Sequence, residues 1–453
     1  MFSARSKTVL HILYLAHLLV PLCLAADCVR LWHQGHLSRG GIILLAGASS
    51  WIAIALAVFL WRRNSGAFLQ HIVNPLITFY VISASLIGTE FALRVLFAHK
   101  ELHLRPPGKR YIFHIVDKNV PGLTPGDKVF SVNNVGLRGP DFPEPKDRSY
   151  KIVTLGGSTT ECGWLDDSED WTHLLMTELN SLPNGHRVWV ANAGSSGTSA
   201  IVHLRVLQNL PIFRRVQMVI MMFGGNDLAA TLMREGGPTN SDIESYATTF
   251  IEGLAPRPYA RGTLLARSEI YRIASHAFQK NKAAFQPDAL LNYRLRLRDR
   301  AQGKVVPLPD LRIGVAEYHG RIVALDRECH SLGLRCLFLT QPNKWRENLS
   351  AEEQKHMSAA AVGPPDARKV FGSYADLSRA MKTYNQTLMD TCRQHVMECY
   401  DLASFVPQDS SALYDDLHFN EPGARLTAHL LSVYLQAHSW ATQSASGADG
   451  LVR

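Results

Sequence analysis

Metal-ligand patterns are missing from this sequence. None of its seven cysteines sits in a Cys-x-x-Cys pair, and no Cys/His spacing resembles a zinc site. No metal site is therefore read from the sequence, and no cofactor is expected. An odd cysteine count also excludes a fully paired set. Cys23 and Cys28 fall in an apolar N-terminal region, whereas Cys329 and Cys336 share a seven-residue spacing with Cys392 and Cys399. Each of these pairs brackets a helix end and the next strand. In an oxidising compartment they would form disulfides, within each unit or between units, with buried free thiols as the alternative.

A concentrated basic surface is also lacking. The net charge is +8 and the sequence pI about 9.1, but Lys and Arg are scattered. The densest run, Arg294 to Arg300, alternates Arg with Leu and Asp. It reads as the solvated face of a helix, close to anionic lipid headgroups, and gives no support to a nucleic-acid partner.

Long apolar runs are concentrated in the first hundred residues. Three of them are long enough to span a bilayer, which needs roughly 20 mostly apolar residues: Val9 to Ala26, Gly41 to Trp61 and Ile72 to Phe97. The first, with Arg5 and Lys7 ahead of it and Cys23-Leu24-Ala25 near its end, also has the form of a cleavable signal. We read it as a retained helix. Arg5, Lys7, Arg62 and Arg63 lie on one side of the spans, Arg30 and Arg39 on the other. That bias predicts a cytoplasmic N-terminus and a C-terminal domain outside the cell membrane. Glu90 and Arg94 stand one turn apart late in the third span and read as a pair reaching toward the interface rather than as a transport path.

The expected organisation is an anchor over residues 1–97, a Pro/Gly-rich connecting strap with some extended structure over 98–149, an α/β domain over 150–440 and a disordered tail over 441–453. Strands are expected at Tyr150 to Leu155, Arg187 to Ala191, Val216 to Phe223, Arg335 to Leu339 and Val396 to Leu402. Helices are expected at Trp171 to Asn180, Ile201 to Asn209, Ile313 to Cys329, Tyr374 to His395 and Glu421 to Ala437. Such alternation predicts a parallel sheet between helical layers. Insertions at 228–312 and 341–373 read as substrate-covering loops, or as packing against the anchor.

Four short segments carry the chemistry: Leu155 to Thr160, Asn192 to Gly197, Phe223 to Asp227 and Asp415 to His418. Ser158 follows two glycines at a strand end. His418 lies three residues after Asp415, so on a helical turn the two share a face; one ring nitrogen would bind the carboxylate while the other faces Ser158. Asp416, one residue nearer, is expected to point elsewhere. Gly197 offers a backbone N–H, Asn226 a side-chain amide and Ser158 its own N–H, the donors an oxyanion needs. Gly194 competes with Gly197 for that role. Together these are the parts of a nucleophilic attack on an ester.

The four segments resemble the blocks of the SGNH/GDSL hydrolase superfamily, and most closely its membrane-anchored bacterial members, over roughly residues 130–437. Asn134 to Gly139 ahead of the first block and Thr340 to Asn343 after the fourth strand add to the resemblance. It implies a three-layer α/β/α sandwich (flavodoxin-like) around a parallel sheet of about five strands, and no metal. By that resemblance Ser158 is the nucleophile, Asp415 and His418 complete the triad, and Ser158, Gly197 and Asn226 form the oxyanion hole. One position departs: Gly157 stands where the family name implies Asp.

The expected activity is that of a membrane-anchored serine esterase. It would act on acyl esters, O-acetyl groups among them, of an envelope polysaccharide or glycolipid. Alternatives are an O-acyltransferase with the same triad and a non-catalytic, glycan-binding envelope scaffold. The sequence names no protein partner.

Overall fold

The computed structural model describes residues 83, 85–90, 102–115, 119–181, 187–233, 247, 250–251, 268, 270, 305–357, 361–362 and 370–438. Among them no helix is long and apolar enough to cross a membrane. The three apolar stretches, apart from helical residues within 83–90, lie outside the described residues, as do Arg94, the run 294–300 and the 441–453 tail.

The centre of the fold is a five-stranded sheet. Its strands are β3 (Tyr150–Gly156), β4 (Val188–Asn192), β5 (Met218–Met222), β6 (Arg335–Leu339) and β9 (Cys399–Tyr400). They lie in the order β4-β3-β5-β6-β9, and every pairing is parallel. Val188 to Asn192 and Met218 to Met222 are buried throughout, as expected for strands covered on both faces. Alternate residues feed two cores. Ile152, Met218 and Ile220 pack on one side with Trp171, Leu175 and Leu431. Val153, Val219 and Met221 pack on the other with Ile322, Leu325 and Leu388.

The covering helices fix those layers. One face carries α2 (Trp171–Asn180) and α8 (Glu421–Ala437), which pack on each other. The opposite face carries α3 (Ala200–Asn209), α5 (Arg312–Ser331) and α7 (Tyr374–His395). This is the expected α/β/α sandwich. The last strand is the one clear shortfall: Val396 to Leu402 is expected, but only Cys399 and Tyr400 pair. Val396 instead ends α7 in the left-handed conformation, at φ 56°. Two disulfides form within units, Cys329–Cys336 and Cys392–Cys399, each tying the end of a helix to the following strand.

The strap, read as a connector with some extended structure, carries a paired ribbon. β1 (Arg110–Ile115) and β2 (Gly126–Ser131) form an antiparallel ribbon, and Ile115, Leu123, Phe130, Val132 and Leu137 are buried. Arg138 pairs its backbone with Asn192 in both directions, at 3.0 and 2.9 Å, covering the open edge of β4. Proline and glycine hid this structure, because a short ribbon closed by turns has no sustained period. Residues 101–255 and 283–453 accordingly form one compact unit, which includes the strap from residue 101 on.

A second unit comprises residues 1–100 and 256–282. Within it the Glu90 carboxylate accepts hydrogen bonds from Ser268 Oγ at 2.8 Å and from the Ile270 N–H at 3.1 Å. Part of the first insertion therefore groups with the N-terminal residues rather than with the sheet. The start of the second insertion packs into the sheet unit, with Trp345, Leu349 and Met357 buried there, and that insertion carries α6 (Ala351–Gln354) and the antiparallel pair β7 (Ala361–Val362) and β8 (Val370–Phe371).

Candidate active site

All four segments meet at the carboxyl ends of β3, β4 and β5. The chain leaves β3 on one side for β4 and returns across it to β5, so the strand order reverses there. Open α/β sheets form their ligand crevices at such switch points.

Ser158 opens α1 (Ser158–Glu161), a single helical turn after Gly157. A Cβ on Gly157 would lie 2.6 Å from Asn226 Nδ2, so a residue with no side chain lets the amide approach the serine's turn. Cys162 ends that helix in the left-handed region at φ 51°. This conformation costs a non-glycine residue on the order of 1–3 kcal/mol and persists only where the surroundings hold it. Burial pushes the Cys162 thiol well above its ordinary pKa, which makes it a poor nucleophile.

His418 Nε2 lies 2.7 Å from Ser158 Oγ. Its Nδ1 lies 2.7 and 2.8 Å from the two oxygens of Asp415. The ring thus donates through Nδ1 and accepts the serine hydroxyl through Nε2. Burial would raise the Asp415 carboxyl; the His418 ring and the N–H groups of His418 and Leu417 outweigh burial and hold it below the ordinary value. The i, i+3 relation works here without a helix. Residues 414–418 form a loop closed by pairing of Leu413 with Phe419, and Asp415 Oδ1 caps the N–H groups of Leu417 and His418. Asp416 points away, its Oδ1 accepting from Trp345 Nε1 at 2.7 Å.

The candidate oxyanion donors differ in their partners. No acceptor among the described residues takes the N–H of Ser158 or of Gly197. Gly197 lies exposed on its loop with φ 76°. The N–H of Gly194, by contrast, is engaged by Asn192 Oδ1 at 2.7 Å. Asn226 gives one amide hydrogen to the Thr198 carbonyl at 2.8 Å and keeps the other. Thr198 and Asn226 line the same open cleft of about 250 Å³ as Ser158. Asp227, beside Asn226, caps the Ala200 N–H and pairs with Arg321, which ties the start of α3 to the start of α4 (Gly225–Leu232). Burial pushes its carboxyl up despite Arg321.

Several residues at the site were not expected from the sequence. Gln341 lines the first cleft and accepts from Thr159 Oγ1 at 3.2 Å; it lies in the Thr340 to Asn343 segment already noted as family-like. A second cleft, of about 170 Å³, opens on the other side of Ser158 and His418 between Trp164, Leu165, Tyr414 and Phe419. No short-range pattern distinguishes those aromatics from ordinary core. Among the described residues no group of acidic, His or Cys side chains could hold a metal.

The sequence profile of the GDSL-like lipase/acylhydrolase family matches residues 154–426. Similar solved structures include a lipase/acylhydrolase from Enterococcus faecalis, 14% identical, covering 64% of this chain and 96% of that one with a TM-score of 0.33. The esterase EstA from a Pseudoalteromonas species is 13% identical, with coverages of 64% and 98% and a TM-score of 0.32. The acetylxylan esterase Axe2 from Geobacillus stearothermophilus is 13% identical, with coverages of 64% and 95% and a TM-score of 0.34. A search of curated proteins gave no match. The profile spans both the Ser158 turn and the Asp415/His418 loop, and on it the chain belongs to the GDSL-like lipase/acylhydrolase family and is a serine ester hydrolase.

Proposed function

We propose that this protein is a membrane-anchored esterase whose exported domain removes acyl groups, O-acetyl among them, from a carbohydrate or glycolipid of the cell envelope. The observation that carries the reading is the relay Asp415–His418–Ser158, with both links at 2.7 Å. Ser158 Oγ attacks the ester carbonyl carbon while His418 Nε2 takes its proton, and Asp415 holds the ring and stabilises the imidazolium. The carbonyl oxygen becomes an oxyanion that accepts from the N–H groups of Ser158 and Gly197 and from Asn226 Nδ2. Collapse of the intermediate breaks the bond to the alcohol oxygen, which receives the proton from His418. Water then attacks the Ser158 acyl-enzyme with His418 again as base, releasing the acid and the free serine.

Location rests on separate support. The three apolar stretches and their flanking arginines and lysines favour an anchored, multi-pass N-terminus with the remainder outside the inner membrane. The two disulfides fit an oxidising compartment.

The test is labelling of the detergent-solubilised protein by a fluorescent phosphonate, which mimics the tetrahedral intermediate, beside Ser158→Ala. Labelling that vanishes in the variant is expected. An unlabelled wild type would overturn the reading in favour of a non-catalytic scaffold. Incubating the labelled-active protein with an acetyl ester and a sugar acceptor then separates hydrolysis from acyl transfer by product analysis.

A further inference from the structure

A single helical turn is an awkward carrier for a nucleophile. Every carbonyl near its end lacks an intrahelical partner and must find a donor elsewhere. Ser158 O takes the Cys162 N–H and Cys162 O the Leu165 N–H, each at 3.0 Å, and the remaining donors come mostly from outside the turn. Thr160 O accepts from Asn192 Nδ2 at 2.6 Å. Glu161 O and Cys162 O both accept from Arg138 Nη1, at 2.9 and 2.8 Å. Leu165 O, further along the same loop, accepts from Arg138 Nη2 at 2.7 Å.

Arg138 is itself 1% exposed. Its Nε donates to Asp167 Oδ1 at 2.9 Å, Asp170 Oδ2 stands 3.6 Å away, and Phe130 covers the guanidinium face at 4.4 Å. Its backbone is fixed by the two bonds to Asn192. A planar fork with five donors can bridge three carbonyls and a carboxylate at once; an ammonium cannot.

We propose that Arg138 is the positioning residue of the nucleophile turn, holding the left-handed Cys162 and the 159–165 loop so that Ser158 Oγ stays in reach of His418. The proposal rests on Ser158 being the nucleophile. It gives the Asn134 to Gly139 segment, which lies outside the four blocks, a part in setting the reaction geometry. The same loop supplies Trp164 and Leu165 to the second cleft, so Arg138 also fixes one wall of it.

Arg138→Lys is the test, read by the phosphonate labelling rate constant and by the melting temperature. Arg335→Lys is the matched control. Arg335 also makes a bidentate ion pair, with Glu398 at 2.7 Å, but it starts β6 at the far end of the sheet. A misplacement of about 1 Å at a reacting group is worth on the order of 100-fold in rate. Arg138→Lys should therefore label about 10- to 100-fold more slowly, with probe affinity little changed. Arg335→Lys should label at the wild-type rate for a similar loss of melting temperature.

Wild-type labelling by Arg138→Lys, or an equal loss in Arg335→Lys, would reduce Arg138 to a stability role and overturn the proposal. If Arg138→Lys does not fold, Asp167→Asn weakens the bond to Nε from a half-buried position. It should slow labelling several-fold, and an unchanged rate overturns the proposal as well. Failure of the wild type to label would instead overturn the esterase reading.

Discussion

Asn226 Nδ2 stands 2.6 Å from the point where a side chain on Gly157 would begin. The amide is held there by the Thr198 carbonyl. A glycine before the serine and an asparagine after the third core strand are therefore one structural decision. Gly157→Asp, which supplies the residue the family name implies, should displace Asn226 and break its bond to Thr198. Turnover of a small acyl ester should fall at least 10-fold with little change in melting temperature. Asn226→Ala should fall further, on the order of 100- to 1,000-fold. A Gly157→Asp variant as active as wild type would show that the close approach is dispensable.

Neighbouring acids at 415 and 416 have separate tasks. Asp415→Asn leaves the His418 ring without its carboxylate and admits the wrong tautomer, so turnover should drop on the order of 10,000-fold. Asp416→Asn keeps an acceptor for Trp345 Nε1, and its turnover should stay within a few-fold of wild type. Steady-state rates on one chromogenic ester separate the two.

His203 predicts a pH signature in stability. Its ring is buried, its Nε2 lies 3.0 Å from Thr198 Oγ1 and its Nδ1 has no partner, and burial lowers its pKa from 6.5 to about 3. The unfolded chain binds a proton below pH 6.5 that the folded chain refuses until about pH 3, so stability falls as pH falls through that window. The slope is about 1.4 kcal/mol per pH unit. Denaturant titrations between pH 6.5 and 4.5 should show wild type losing more stability than His203→Gln by about that slope. Parallel pH profiles would rule out a buried neutral histidine.

The two disulfides close loops with a sequence separation of seven residues each. Loops of that size support roughly 2–3 kcal/mol per bridge in the chain-entropy account. Cys329→Ser with Cys336→Ser, and separately Cys392→Ser with Cys399→Ser, should each lower unfolding free energy by about that amount. Labelling by the phosphonate should persist, because both bridges lie at the opposite end of β6 and β9 from Ser158.

Much of the sheet unit was legible in the chain. Continuous apolar runs such as Met218 to Met222 allow only a strand covered on both faces, and helices Trp171–Asn180, Tyr374–His395 and Glu421–Ala437 appear with the bounds their periodicity predicts. The strap was legible only as a connector with some extended structure, not as a paired ribbon. Its ribbon owes its order to partners far along the chain: Lys128 meets Glu169 and Glu421, and the carboxylate of Glu421, the first residue of the helix after His418, accepts from the Thr124 N–H.

The sequence by itself determined which chemical groups are present and in what order, because strand periodicity and turn residues act over a few positions. It placed Ser158, Asn226 and the Asp415/His418 pair each beyond a strand or before a helix. Tertiary structure alone decided that Gly197, not Gly194, keeps a free N–H, and that Asp415 reaches His418 through a capped loop rather than a helical face. It also decided that Arg138 meets the carbonyls of Glu161, Cys162 and Leu165. Those outcomes depend on where hydrogen-bond partners distant in the chain come to rest, and local sequence carries no record of that.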